Sequence, residues 1–117
     1  MMSLTLSRGD VVLARFPFTD LMGALVRPAL VVSPGRIGQD IVLVAISSVL
    51  RDGLVPTDCT VDTTHPEFSM TGLRTASVFR VHKLATVERS VIVRRLGRIG
   101  PQLQAEVDRL LRVVLAL

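Results

Sequence analysis

The sequence predicts a mainly β domain with one helix: a small, strongly bent sheet or barrel capped by a C-terminal amphipathic helix. Three observations carry that prediction. Short runs rich in Val, Leu and Ile recur between residues 10 and 96, each cut off by Gly or Pro. Apolar residues make up 49% of the 117, yet there are four Phe, no Tyr and no Trp, so the core must be aliphatic. Helical periodicity is clear only at the end of the chain, after Gly100-Pro101. The length suits a single domain over residues 1–117, large enough to bury about two-thirds of its unfolded surface without a disulfide or metal staple.

Taken in order, Asp10–Phe16 (DVVLARF) is the first strand, bounded by Arg8-Gly9 and Pro17. Residues 17–27 read as a loop containing Pro17, Asp20 and Gly23. Pro28–Ser33 (PALVVS) is a second strand, stopped by Pro34-Gly35, and Asp40–Ser48 (DIVLVAISS) a third, entered from the Gly35–Gly38 turn. Asp58–Asp62 (DCTVD) alternates weakly and suits an edge strand, and Thr63–Gly72 reads as loop. Arg74–Val81 and Val91–Leu96 complete the strands, the last ended by Gly97. Gly100 then takes the helix N-cap and Pro101 the first helical position, where a missing N–H costs nothing. Leu103, Val107, Leu110, Leu111 and Val114 form one apolar stripe, with Gln102, Gln104, Asp108, Arg109 and Arg112 mostly on the other face.

Composition narrows the function. The absence of Tyr and Trp argues against a base-stacking platform. A net charge of +4, from 13 Arg and one Lys against ten carboxylates, permits a polyanionic partner. Cys59 stands alone, which excludes an internal disulfide and fits a reducing compartment. Cys59, His65 and His82 are too few soft ligands for a structural zinc site. Met1–Arg8 has no signal-peptide core, and no apolar run approaches the roughly 20 residues of a membrane span. A soluble, cytoplasmic protein is expected.

Few residues suggest chemistry. Asp58 and Asp62, four apart in an apparent strand, share a face and read as solvated surface charge. His65 and His82 are far apart, lack a Gly-x-Ser-x-Gly partner, and read as surface or interface residues. Cys59 reads as a buried small hydrophobe. No glycine-rich phosphate loop is present. Arg27-Pro28 is more informative: proline holds its predecessor extended, which fixes a guanidinium at a strand mouth. Such a group is either a phosphate ligand or a surface Arg beside a turn. Ser47-Ser48 closes the third strand, and its hydroxyls can serve an oxyanion or strand-end backbone groups. Alternation points the two serines to opposite sides.

An ordered set of segments adds to this. Gly9-Asp10-Val11-Val12, Phe16-Pro17-Phe18-Thr19-Asp20, Arg27-Pro28-Ala29-Leu30-Val31-Val32-Ser33 and Ala45-Ile46-Ser47-Ser48 are followed by Gly72-Leu73, Ser77-Val78, Lys83-Leu84-Ala85-Thr86 and Leu96-Gly97-Arg98-Ile99. Over nearly its whole length the chain resembles the MazF/PemK family of toxins of bacterial type II toxin–antitoxin systems. The resemblance implies an SH3-like small barrel with a terminal helix. It implies a metal-independent, cofactor-free, sequence-specific endoribonuclease (an mRNA interferase) that cuts single-stranded RNA. Attack by the 2′-OH would leave a 2′,3′-cyclic phosphate and a 5′-OH. Arg27 matches the family's catalytic arginine, and Ser47 stands where the family has threonine. Asp20, Pro28 and Ser48 fall at RNA-binding positions. A homodimer and a cognate antitoxin partner are implied as well. One departure is the first loop, Asp20-Leu21-Met22-Gly23-Ala24-Leu25, where many members carry Gly-Ser-Glu. Two rivals share the fold: a gyrase-binding toxin of the CcdB type, and a non-catalytic RNA-binding module.

Overall fold

A computed structural model of the chain describes residues 5–16, 25–48 and 53–117. The described residues form six strands, β1 (Asp10–Phe16), β2 (Leu25–Val31), β3 (Asp40–Ser47), β4 (Asp58–Val61), β5 (Ser77–Glu88) and β6 (Ile92–Arg98). Helix α1 (Pro101–Leu115) follows, and single 3₁₀ turns lie at Ser69–Thr71 and Arg89–Val91. All pairings are antiparallel, in the order β4-β5-β3-β2-β1-β6.

That order dictates the curvature. Only Arg89–Val91 separate β5 from β6, although β3, β2 and β1 lie between them in the sheet. In a flat sheet four strand spacings would set β5 and β6 about 19 Å apart. Fully extended, the connection reaches about 15 Å, and here it is wound into a 3₁₀ turn. The sheet must therefore roll up. Val12, Ala14, Ala29, Val31, Ile41 and Leu43 form one buried cluster, against which Ala85, Val87, Val91 and Ile92 pack from the two far strands and their connection. No ladder joins β5 to β6, so the barrel is shut by these side chains and the short turn. The outer face carries Val11, Leu30, Val44, Ile46, Phe79 and Val81, covered by Leu103, Val107 and Leu110 of α1. Each such side chain contributes roughly 1.5–3 kcal/mol of burial. The bent barrel capped by a C-terminal helix is the architecture the sequence predicts.

Strand boundaries other than those of β1 differ from the sequence reading, most of all in β2, β5 and β6. β2 begins at Leu25, so Arg27 and Pro28 lie inside the strand and pair with Ala14 and Leu13 of β1. Pro28 is tolerated there because β3 does not pair with it. β5 starts at Ser77 and runs on to Glu88, carried by its pairing with β3. β6 passes through Gly97, which pairs with Val11. The glycine is there for space: a Cβ at 97 would lie 2.3 Å from the Met70 carbonyl oxygen.

The start of α1 depends on a residue read as loop. Gly100 offers no side-chain cap. Instead the buried carboxylate of Glu67 accepts the N–H of Gln102 at Oε2 and of Leu103 at Oε1, each at 2.8 Å. Two orphan donors and the positive end of the helix are thus satisfied from another part of the chain. Gly100 makes this approach possible, since a Cβ there would come within 2.4 Å of Glu67 Cδ. Glu67→Ala should lower stability by about 2 kcal/mol, and Glu67→Gln, which keeps one acceptor oxygen, by less. Chemical denaturation checks this, and an unchanged midpoint for Glu67→Ala would show that the helix does not depend on the carboxylate.

Candidate active site

A cavity of about 900 Å³ opens where two strands stop pairing. The β2–β3 ladder runs from Val31↔Leu43 to Ala29↔Ala45 and ends. Pro28, next on β2, has no N–H with which to extend a ladder. Carrying the same register two residues further sets Arg27 across from Ser47, both on the face of Ala29 and Ala45. The strands part at that point, and Arg27, Pro28, Ala45, Ile46 and Ser47 line the gap. Ser48 lines it too. β3 ends at Ser47, and Ser48 stands at the bend that follows, so strand alternation does not fix the direction of Ser48. Asp20 lies outside the described residues.

A second irregularity supplies the opposite wall. On β3, Val44 and Ala45 are neighbours, but their β5 partners are Leu84 and Arg80. Val81, His82 and Lys83 are therefore an excess on β5, and the strand bulges. His82 and Lys83 line the cavity as a result. Arg74 and Thr75 reach it from the segment before β5, Ser77 from the start of β5, and Arg94 from β6.

The lining is electrostatically one-sided. Arg27, Arg74, Lys83 and Arg94 are cationic, and no carboxylate joins them among the described residues. The hydroxyl-bearing residues Ser47, Ser48, Thr75 and Ser77 also line the cavity. A concave site of clustered cations and hydroxyls focuses positive potential and suits a phosphodiester. Sequence reasoning found Arg27, Pro28, Ser47 and Ser48. It missed Arg74, Lys83 and Arg94, which only their basic character marks, and it took His82 for a surface residue.

Asp58 also departs from expectation. It is not solvated: its side chain is fully buried and pairs with Arg80 Nε at 2.8 Å. Its other oxygen accepts the Val55 N–H at 2.9 Å. Asp62 lies beyond the end of β4 and is exposed. His65 is half-buried away from the cavity, where its Nδ1 accepts the Glu67 N–H at 3.0 Å. Cys59 is the buried hydrophobe the sequence suggests. Burial first, and then the charge of Glu106, push its thiol up to about 11, so it is protonated and a poor nucleophile at neutral pH. Among the described residues no three His, Cys, Asp or Glu side chains gather as a metal site. No described helix is long and apolar enough to cross a membrane.

Solved structures share this arrangement of strands and helix. MazF from Deinococcus radiodurans superposes with a TM-score of 0.75 at 20% identity, covering 98% of this chain and 100% of that one. The MazE–MazF complex from the same organism gives 0.74 at 20% identity, covering 98% and 99%. An endoribonuclease in complex with its cognate antitoxin from a mycobacterial species gives 0.71 at 21% identity, covering 96% of each chain. Comparison with curated proteins finds no match. At such identities the structural likeness speaks for the fold, and the sequence itself supplies the rest. The model of the PemK-like, MazF-like toxins of type II toxin–antitoxin systems matches residues 7–115, and the chain belongs to that family.

Proposed function

We propose that this protein is a sequence-specific endoribonuclease toxin that cleaves single-stranded RNA without a metal ion. The observation that carries the reading is the cavity at the β2–β3 opening, where four cations converge with hydroxyls and no carboxylate intrudes among the described residues. Family membership supports it, and so do similar structures that bear the name endoribonuclease. The 2′-OH upstream of the scissile bond attacks its own phosphorus, giving a 2′,3′-cyclic phosphate and a 5′-OH. The same 2′-OH separates RNA from DNA as substrate. A guanidinium does not release its proton in proteins, so Arg27 acts by stabilising charge on the phosphorane. Ser47, across from it, donates a hydrogen bond to a phosphate oxygen. Ser48 and Pro28 line the path of the RNA.

The protein would work as a cytoplasmic homodimer held in check by a cognate antitoxin. An acidic antitoxin segment laid over the cationic cavity would block RNA directly, and the net charge of +4 favours such a partner. Purified protein should cut RNA in the presence of EDTA and leave cyclic phosphate ends. RNA left intact would point instead to a gyrase-binding toxin or a non-catalytic RNA-binding module.

Two substitutions test the site. Arg27→Ala should keep the fold and lose at least about 100-fold in cleavage rate. Arg27→Lys should fall between the two, because lysine lacks the planar fork. Near-wild-type cleavage by folded Arg27→Ala would remove Arg27 from the mechanism. Ser47→Ala should lower the rate by roughly 10-fold, the worth of a hydrogen bond to a charged group, and Ser47→Thr should preserve it. Ser48→Ala should change cleavage little. The reverse ranking of the two serines, measured on one RNA substrate, would move the site by one residue.

A further inference from the structure

We propose that His82 is the general acid of the cleavage reaction, protonating the departing 5′-oxygen, with Asp58 as the residue that positions it. The proposal rests on the reading of the cavity as an RNA-cleaving site.

His82 is the only imidazole that lines the cavity among the described residues. It is there because of the bulge at residues 81–83, which displaces it from the ladder. Its side chain is 35% exposed, so solvent can return a proton to it. One ring nitrogen is engaged from behind: Nδ1 lies 3.5 Å from Thr57 Oγ1 and 3.8 Å from Asp58 Oδ1. Nε2 has no protein partner among the described residues and is free to meet substrate.

Asp58 is held for this task. Its fully buried carboxylate is fixed on one oxygen by Arg80 and on the other by the Val55 N–H. A carboxylate on the Nδ1 side holds the imidazole in one orientation and leaves Nε2 as the nitrogen that can donate to substrate. The charged groups around His82 are thus Asp58 on β4, and Arg80 and Lys83 on β5 itself. No other described group in the cavity suits the role. Guanidinium and ammonium groups keep their protons at neutral pH, and hydroxyls are weaker acids still.

The step balances without a further reagent. A bond forms between the 2′-oxygen and phosphorus, and the P–O5′ bond breaks with its electron pair remaining on O5′. His82 gives its Nε2 proton to O5′. The 2′-OH proton passes to water, and water reprotonates His82.

The experiment uses two RNAs of one sequence, chosen from a site that the wild-type protein cuts. One has the ordinary bridging 5′-oxygen at the scissile bond, and the other has sulfur in its place. A thiolate departs without a proton, because thiols are far stronger acids than alcohols. His82→Ala should slow cleavage of the oxygen substrate about 100-fold or more and leave the sulfur substrate within about threefold of wild type. Arg27→Ala should be slow on both. Asp58→Asn, shown by circular dichroism to be folded, should lose part of its rate on oxygen and recover it on sulfur. Three results would overturn the proposal: full activity of His82→Ala on oxygen, equal loss on both substrates, or, for the positioning role, full activity of Asp58→Asn on oxygen. If the wild-type protein cuts no RNA from which such a site could be chosen, the endoribonuclease reading falls and this assignment with it.

Discussion

The connection between β5 and β6 constrains the rest of the molecule. Three residues must join strands that the sheet order places on opposite flanks of β3, β2 and β1. That is only possible if the sheet rolls until its far strands meet over a common interior. Rolling leaves little room inside, and two of the interior positions are alanines, Ala14 and Ala29. It also leaves a convex outer face that is still apolar, and α1 is what covers it. The carboxylate of Glu67 ties the start of that helix to the loop before β5, against a glycine that leaves room for it.

The cavity exists where this sheet fails to pair. A ladder interrupted beside Pro28 and a strand lengthened by an unmatched segment both free backbone and side chains from the hydrogen-bonding plane. The first defect opens the gap that Arg27 and Ser47 line, and the second brings His82 and Lys83 to the same cavity. Four cations gathered without a carboxylate among the described residues repel one another, and that self-repulsion is relieved by an anion. Asp58 does not neutralise the cavity, because its charge is spent on Arg80 beneath the surface. A phosphodiester is the ligand whose charge and oxygen geometry meet this arrangement.

Much of the fold was legible. Asp10–Phe16 is a strand because a run of Val, Leu and Ala is fenced by Gly9 and Pro17, and its limits were read correctly. The helix was marked by Gly100-Pro101 and by the spacing of Leu103, Val107 and Leu110, all of which are buried. Arg27 and Ser47 were legible as a pair only through the ordered segments that resemble a family, since each alone had an ordinary explanation. β2 begins three residues before the start that the sequence predicts, because Pro28 looks like a strand boundary when its neighbours are unknown. Lys83–Thr86 was not read as strand, because the bulge interrupts the alternation on which such a reading depends.

By itself, the sequence determined the kind of molecule: an aliphatic, β-rich chain with one amphipathic helix, a modest positive charge and a family pattern that points to two candidate site residues. These are local properties, written in composition, turn residues and periodicity, and they survive without knowledge of what packs against what. Only the tertiary structure decided that Asp58 is buried against Arg80 rather than solvated, and that Glu67 caps a helix 35 residues away. It also brought Arg74, His82, Lys83 and Arg94 to one cavity with Arg27 and Ser47. The reason is physical: burial, ion pairing and convergence depend on strand register and on defects in it, and register is set by contacts between segments far apart in the chain.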